Sequence, residues 1–271
     1  MITEHFDPAD YPDYSEFFQD EEEQPARRMK ERPKFTILYE DDRIIAFDKS
    51  SGVSSIRERY EVGISLKEIA EEKLGRLWTV HRIDKDTSGV IVFARDAAAH
   101  KSLNDQFERH ETTKIYAAVV EGTMPEPEMR IDIPLASDPS HPGRVRPSAR
   151  GKESVTILRL REQYRGFAFV EAQPLTGRQH QIRVHCKAVG LPLAVDPFYG
   201  NRSELLLSSF KRRYRDYGQE EKPLISRLTL HAERLTVAHP GTGEPITFEA
   251  RLPKDISALL NQLRKVAGGG R

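Results

Sequence analysis

The apolar residues of this chain occur in short runs, and these runs restrict the possible folds more than any other feature of the sequence. No run approaches the length of about 18 residues at which a membrane-spanning helix is predicted. Most runs are rich in β-branched and aromatic residues and are bounded by turn-forming residues, which is typical of strands. The predicted strands are FTILYE (35–40), RIIAFDK (43–49), LWTV (77–80), VIVFA (90–94), KIYAAVVEG (114–122), the hairpin 153–161 and 166–173, LTLHAERLTVAHP (228–240) and PITFEARLP (245–253).

Helical signals are fewer than strand signals. Ser65 and Glu68 have the spacing of a capping box, which predicts a helix that continues through Leu74. Further helices are predicted near 97–109 (capped by Asp96), at 179–189 and at 255–266. Because strands dominate and do not alternate regularly with helices, we expect an α+β fold with a mixed, mainly antiparallel sheet and flanking helices.

Charge is distributed unevenly along the chain. The 271 residues carry 42 basic and 42 acidic side chains, but residues 1–23 contain nine acids and no Lys or Arg. The rest of the chain therefore has a net charge of +9, which suits a protein that binds a polyanion such as nucleic acid. A normally charged surface with a solubilising tail is the alternative. We expect residues 1–33 to form an acidic, disordered N-terminal arm and residues 34–271 to form the folded domain.

The first residues and the single cysteine bear on location. No basic segment followed by an apolar one is present at the start, so no secretory signal is predicted. Cys186 is the only cysteine, which excludes an internal disulfide and a Cys-rich zinc site, and we interpret it as an inert packing thiol. These features predict an intracellular, cytoplasmic protein.

A polar segment, HRIDKDTSG (81–89), separates two of the predicted strands and is longer than a turn requires. Asp84 and Asp86 within it have the spacing of carboxylates that do acid–base work or hold a metal. The spacing of His81 relative to these two matches no metal-ligand pattern, so we expect no metal. The plain alternative is that Asp84, Asp86 and Thr87 are turn and cap residues.

The second polar stretch is LTGRQHQIRVH (175–185). The sequence predicts a helix that starts at Thr176-Gly177 and places Gln179 and Arg183 on one face. A helix with so few apolar residues either faces water or lines a site. No Gly-rich phosphate loop and no dinucleotide fingerprint is present, so neither ATP nor NAD is expected as a cofactor, and Ser88 lacks the context of a hydrolase nucleophile.

Taken together, these stretches resemble the RluA-type family of RNA pseudouridine synthases, and the resemblance runs in order over residues 35–253. It includes the opening hairpin ILYEDDRIIAFDKSSG (37–52), HRIDKDTSGVIVFA (81–94), KIYAAVVEG (114–122), PLTGRQHQIRVHCKAVGLPLAVDPFYG (174–200) and LTLHAERLTVAHPGTGEPITFEARLP (228–253). Two of these motifs, HRIDKDTSG (81–89) and TGRQHQIRVH (176–185), are together very specific for this family. Two positions depart from the family pattern: Ser50 replaces a usual Pro, which would loosen that loop, and Ile83 replaces a usual Leu.

The resemblance implies a pseudouridine synthase fold with a central RNA-binding catalytic cleft. It implies isomerisation of uridine in RNA without a cofactor, through base flipping. By position in the motifs, Asp84 is the catalytic aspartate, Arg183 pairs with Asp84, and Tyr116 is the active-site tyrosine. The residues implied in RNA contact and base flipping are His81, Arg82, Thr87, Arg178, His180 and Gln181.

The implied partner is RNA, either rRNA or tRNA, and we expect no membrane association, no metal and a monomer. The alternative from another class is a catalytically inactive RNA-binding or ribosome-assembly factor on the same fold. A hydrolase that uses Ser88 or Cys186 is a further alternative. Arg144, Arg146, Arg150, Lys152 and the 211–215 cluster are equally compatible with RNA-backbone contacts and with a solvated surface. The acidic arm suggests the hypothesis that it covers the basic cleft as an RNA mimic.

Overall fold

The computed structural model describes residues 34–57, 63–211, 214–215, 218 and 220–267, so the predicted acidic arm 1–33 lies outside the described residues. The described helices are α1 (Leu66–Leu74), α2 (Ala97–Glu108), α3 (Gln181–Ala188) and α4 (Lys254–Ala267). The described strands are β1 (Phe35–Glu40), β2 (Ile44–Lys49), β3 (Trp78–Thr79), β4 (Ser88–Ala94), β5 (Thr113–Glu121), β6 (Glu128–Asp132), β7 (Leu135–Ser137), β8 (Val145–Pro147), β9 (Val155–Tyr164), β10 (Phe167–Pro174), β11 (Leu230–Ala238) and β12 (Pro245–Glu249).

Ten of these strands form one sheet, and β7 and β8 form a separate two-stranded ribbon. The order across the large sheet is β1-β2-β4-β11-β5-β10-β9-β6, with β12 paired to β11 and β3 paired to β4. Neighbouring strands are antiparallel except for β4 and β11, which are parallel. The expected α+β class with a mixed, mainly antiparallel sheet is confirmed.

The parallel junction between β4 and β11 is short, because only two residue pairs are in register, His231 with Ser88 and Ala232 with Gly89. Gly89 has a φ of 114°, and a Cβ placed on it would lie 2.1 Å from the carbonyl oxygen of Ala232. Any other residue here would force the two strands apart. Gly89 is the last residue of the 81–89 segment, so this polar segment is attached at the centre of the sheet.

The central strand β5 shows why the sheet is covered on both faces. Ala117 and Val119 belong to one buried cluster, to which α4 contributes its apolar side chains. Ala118 and Val120 point to the other face and pack with Ile182 of α3. This alternation is the two-residue period of a strand. Tyr116 shares the face of Ala118, so its side chain lies on the α3 side of the sheet.

The starts of α1 and α2 follow the sequence, and the start of α3 departs from it. Ser65 and Glu68 form the predicted capping box, and the Asp96 carboxylate accepts hydrogen bonds from two backbone N–H groups at the start of α2. The prediction that α3 starts at Thr176-Gly177 is wrong, because the helix starts at Gln181. His180 before it is in the left-handed region, with φ 52°, which interrupts any helix running from 176.

One predicted strand is shorter in the structure than the sequence suggested. Of the run LWTV (77–80), only two residues are in a strand. The segment 201–223 is described in part and contains one short 3-10 turn, Leu207–Ser209. None of the helices in the described parts of the chain is long and apolar enough to cross a membrane.

Candidate active site

A cleft of about 750 Å³ opens on the α3 side of the sheet. Four segments line it: residues 80–87 before β4, residues 107–110 at the end of α2, the first half of β5, and residues 174–183 around the start of α3. Leu230 of β11 completes the lining. Basic side chains outnumber acidic ones in the lining. The basic residues are Arg82, Lys114, Arg178 and Arg183, and the acidic ones are Asp84 and Glu108. The cleft therefore brings together the two polar stretches that the sequence singled out.

The segment that carries Asp84 is held through its backbone by the residues that follow β2. Ser55 Oγ donates to the carbonyl of Ile83 at 2.7 Å, and Ser51 Oγ donates to that of Asp86 at 2.6 Å. Within the segment, the N–H of Thr87 donates to the carbonyl of Asp84 at 3.1 Å, closing a turn. The Asp84 side chain remains about a quarter exposed, at 26%, on the cleft side of this support.

Lys49 at the end of β2 supports the same segment from inside the protein. Its buried ammonium donates to three carbonyls, those of Ser50, Val53 and Lys85, at 3.1, 2.6 and 2.8 Å. Burial lowers the pKa of Lys49 to about 7, although the carboxylates of Asp86 and Asp84 oppose this shift.

The looser loop expected from the replacement of the family's usual Pro by Ser50 stays a prediction, but Ser50 makes a bond that proline could not make. The Ser50 N–H donates to the carbonyl of Lys34 at 3.0 Å and so continues the β1–β2 pairing by one hydrogen bond. Proline has no N–H and could not make this bond.

Arg183 is the centre of the charged groups in the cleft. Its guanidinium binds Asp196 with two hydrogen bonds, from Nε at 2.8 Å and from Nη2 at 2.7 Å. The third nitrogen, Nη1, lies 3.7 Å from Asp84 Oδ2. The contact with Asp84 that the resemblance implied is therefore present, but Asp196 is the stronger partner of Arg183.

Asp196 follows α3 in the segment DPFYG (196–200), and the sequence analysis gave it no role. Its Oδ1 also accepts hydrogen bonds from the backbone N–H groups of Phe198 and Tyr199, at 2.9 and 3.1 Å. Burial raises its pKa, but the hydrogen bonds and charge of Arg183 outweigh burial and hold the pKa of Asp196 below its usual range. Asp196 is consequently a fixed anion that sets the orientation of Arg183.

Tyr116 on β5 lines the cleft near Asp84. Burial, with a further contribution from the Asp84 charge, raises the pKa of the Tyr116 hydroxyl. The phenol is therefore protonated at neutral pH and presents an apolar ring with a hydroxyl that can donate a hydrogen bond.

His81 and Thr87 lie at the two ends of the same loop and are less available than Asp84. His81 Nε2 accepts a hydrogen bond from the backbone N–H of Val92 at 3.0 Å, and its ring stacks on Phe107 with centroids 4.6 Å apart. Burial lowers the pKa of His81 to about 3, so its imidazole is neutral. The Thr87 hydroxyl is buried and finds no hydrogen-bond partner among the described residues. Arg82 between them is exposed and lines the cleft.

The loop before α3 holds three of the predicted contact residues, and they differ in availability. The side chain of Gln181 is buried and makes four hydrogen bonds, accepting from Thr176 Oγ1 and the Arg178 N–H and donating to Val155 O and Thr156 Oγ1. These bonds occupy the amide of Gln181 and fix this loop, and its predicted contact with RNA stays a prediction.

His180 and Arg178 both line the cleft. His180 Nδ1 is 2.8 Å from the hydroxyl of Tyr199, and burial lowers the pKa of His180. The Nε of Arg178 donates to the carbonyl of Glu153 at 3.0 Å, which leaves the end of its guanidinium to reach a ligand.

The hydrolase alternative does not fit the positions of its proposed nucleophiles. Ser88 Oγ contacts His231 Nδ1 at 2.9 Å, a Ser–His pair that the sequence did not reveal, but both residues are buried and neither lines the cleft. Cys186 is also buried, and burial raises the pKa of its thiol to about 12. Within the described residues, no three His, Cys, Asp or Glu side chains come together as a metal site.

The chain is similar to known proteins over most of its length. A family model described as RNA pseudouridylate synthase matches residues 43–188. Over 186 residues the chain is 40% identical to an uncharacterized RNA pseudouridine synthase of Bacillus subtilis, covering 69% of this chain and 55% of that protein. Over 241 residues it is 35% identical to ribosomal large subunit pseudouridine synthase D of Neisseria meningitidis, covering 86% of this chain and 62% of that protein. The chain thus spans less than two thirds of the length of each of these relatives.

The fold is shared with solved structures. The structure titled human RNA pseudouridylate synthase domain containing 4 superposes with a TM-score of 0.63 at 24% sequence identity. The match covers 84% of this chain and 92% of that one. At this identity the match shows that the two chains have the same fold.

Proposed function

The chain belongs to the RluA-type family of RNA pseudouridine synthases, and on that premise we propose that it isomerises uridine to pseudouridine in RNA with Asp84 as the catalytic carboxylate. The observation that carries the proposal is the position of Asp84. It lies in a basic cleft, 3.7 Å from an Arg183 that is itself fixed by Asp196. A carboxylate so placed can act on a bound nucleotide while remaining paired with a cation.

The reaction breaks the bond between N1 of uracil and C1′ of ribose, turns the base, and forms a bond from C5 to C1′. Positive charge develops on the sugar as the first bond weakens. A carboxylate stabilises that charge, either through space or by covalent attack, as carboxylates do in glycoside hydrolysis. Attack on C1′, attack on C6 and action as a base on the ribose all use the same position of Asp84. Arg183 orients the carboxylate in each case.

Tyr116 and Arg82 have supporting roles in this proposal. The ring of Tyr116 packs against the uracil, and its protonated hydroxyl donates a hydrogen bond that helps to orient the base while C5 loses its proton and N1 gains one. A base inside an RNA helix must first leave its stack, at a cost of a few kcal/mol. Arg82, which is exposed beside Asp84, is suited to fill the vacated position, because a guanidinium can both stack and donate hydrogen bonds.

The substrate that we propose is ribosomal RNA. The motivation is the name of the Neisseria relative, a large-subunit synthase that aligns with 86% of this chain. Transfer RNA is the other substrate class expected from the sequence, and it is tested alongside ribosomal RNA. We also propose His81, Thr87, Arg178 and His180 as cleft residues near the flipped nucleotide, with the neutral His81 acting as part of the wall.

The test uses RNA from cells that lack this protein, incubated with the wild type, Asp84→Asn or Asp86→Asn, followed by mapping of pseudouridine at single-nucleotide resolution. Asp86→Asn is a matched control, because it makes the same change two residues away on the same loop. We expect one or a few sites with the wild type and with Asp86→Asn, and none with Asp84→Asn. Equal activity of Asp84→Asn would refute the assigned role of this residue. RNA binding without modification by any of the three proteins would favour the inactive assembly factor.

A further inference from the structure

Lys114 is a cleft residue for which the sequence analysis gave no role. It lies on β5, two residues before Tyr116, so both side chains point to the same face of the sheet and both line the cleft. None of the described residues forms a hydrogen bond or an ion pair with its ammonium group. The Lys114 side chain is partly buried, and burial lowers its pKa.

The other buried cations near the cleft all have partners within the described residues. Arg183 is bound by Asp196, the Lys49 ammonium donates to three carbonyls, and Arg227 binds Asp255 with two hydrogen bonds of 2.9 and 2.8 Å. A cation withdrawn from water without a counter-ion is unfavourable, and proteins rarely retain one. Lys114 differs from these three, because the described residues supply its ammonium with neither an anion nor a hydrogen-bond acceptor.

The loop above Lys114 leaves its ammonium open to the cleft. A Cβ added to Gly177 would lie 3.8 Å from Lys114 Nζ, so a larger side chain at 177 would cover the ammonium. The φ of Gly177 lies outside the left-handed region, so the backbone conformation alone does not require glycine here. Access to Lys114 gives a physical reason for this glycine.

We propose that the Lys114 ammonium binds a phosphate of the RNA backbone adjacent to the target nucleotide. The proposal rests on the proposed function and adds a subsite to it. Lys114 lies about 7 Å along the strand from Tyr116, as two residues of an extended strand do. It therefore meets a part of the RNA other than the base that packs against Tyr116. A phosphate supplies the negative charge that the described residues lack, whereas a base carbonyl would leave the cation unneutralised.

The test measures RNA binding of the full chain as a function of salt, for the wild type, Lys114→Met, Lys114→Arg and Lys254→Met. Lys254 is an exposed lysine at the start of α4, on the opposite face of the sheet, and serves as the matched control. The probe is an RNA stem-loop that contains the mapped uridine. A single-stranded oligouridylate replaces it if mapping yields no site. Turnover of saturating RNA is measured in parallel.

For Lys114→Met we expect about tenfold weaker binding, the usual order for losing a charge-assisted hydrogen bond. The plot of log K against log salt should become shallower by about 0.7, the value for one phosphate of a single strand. Any loss of turnover at saturating RNA should be smaller than the loss of binding, since the phosphate does not react. Lys114→Arg should keep the wild-type slope, because a guanidinium also binds phosphate, and Lys254→Met should change neither quantity.

An unchanged salt slope for Lys114→Met overturns the proposal. If turnover falls as well, Lys114 contacts the base and not a phosphate; if turnover does not change, Lys114 has no role in RNA binding. Thermal unfolding without RNA provides a second measurement, because removing a cation without a partner should not lower the melting temperature of Lys114→Met. A clear drop in that temperature would show that Lys114 has a structural partner and would also refute the inference. If Lys114→Met shows the expected change in salt slope but the wild type makes no pseudouridine, the subsite holds and the proposed activity fails.

Discussion

The substitution Asp196→Asn tests whether the orientation of Arg183 depends on a second anion behind it. Asp196 and Arg183 have side-chain exposures of 1% and 2%, and their two hydrogen bonds are 2.7 and 2.8 Å long. Removing one member of such a buried pair costs about 3–5 kcal/mol of folding free energy. An asparagine retains one acceptor oxygen for the backbone N–H groups of Phe198 and Tyr199, so we expect a loss of about 3 kcal/mol, the lower end of that range.

The effect on catalysis follows from the remaining contact. In the wild type, only Nη1 of Arg183 approaches Asp84, at 3.7 Å. Without the Asp196 charge, the guanidinium is free to turn towards Asp84. A displacement of about 1 Å at a catalytic group typically costs about 100-fold in rate, which corresponds to about 2.7 kcal/mol. We therefore expect kcat to fall by about 100-fold, with a change in KM below about threefold, since the RNA-contacting surface is unchanged.

Single-turnover measurements on the mapped RNA report the loss of rate, and urea unfolding reports the loss of stability, so the two losses are measured separately. The matched control is Asp255→Asn, which breaks the pair of hydrogen bonds to Arg227 outside the cleft lining. We expect this variant to lose stability and to keep kcat.

A double-mutant cycle with Arg183→Met should give a coupling free energy of at least about 2 kcal/mol between Arg183 and Asp196. Additive effects of the two substitutions, or wild-type kcat in Asp196→Asn, would refute the role assigned to Asp196.

Two further predictions concern the junction between β4 and β11. Burial lowers the pKa of His231 to about 4, so between pH 6.5 and 4 the unfolded chain takes up a proton that the folded chain does not, and stability falls as the pH falls. His231→Gln should reduce the slope of unfolding free energy against pH in this window by about 1.4 kcal/mol per pH unit, and an unchanged slope in urea titrations would contradict the assignment. Gly89→Ala should destabilise the fold by more than about 3 kcal/mol, because the added Cβ would lie 2.1 Å from Ala232 O, whereas Gly143→Ala, whose added Cβ would meet nothing within 4 Å, should cost only about 1–2 kcal/mol of backbone strain. If Gly89→Ala and Gly143→Ala lowered the melting temperature equally, the short distance to Ala232 O would not be the reason that position 89 requires glycine.

Local sequence patterns predicted most of the strands and helix ends, because each depends on residues a few positions apart. The β9–β10 hairpin and the capping box formed by Ser65 and Glu68 are examples. The strands β6, β7 and β8 were not predicted. The start of α3 was missed because it depends on the left-handed conformation of His180, which no periodicity reveals. The parallel pairing of Ser88 with His231 joins residues 143 positions apart and has no signature in either run.

The candidate site was predictable to the extent that its residues lie in motifs. Asp84, Tyr116 and Arg183 were named from their motif positions, and the structure brings all three to one cleft. Asp196 was missed because its role depends on a contact across the turn that follows α3, where its spacing of 13 residues from Arg183 suggests no shared face. The four hydrogen bonds of Gln181 within the protein were not predicted, because a motif does not distinguish a glutamine that holds a loop from one that faces a ligand.

The central position of β11 has a consequence for the order in which the protein acquires its site. Asp84 belongs to the part of the sheet built from β1, β2 and β4, whereas Tyr116 and Arg183 belong to the part around β5 and α3. The strand that joins these parts begins only at Leu230, late in the chain. During synthesis, Asp84, the proposed catalytic carboxylate, and Arg183 are therefore both made well before the strand that joins the two parts of the sheet carrying them. A nascent chain that ends before Leu230 carries every proposed catalytic group and no assembled cleft.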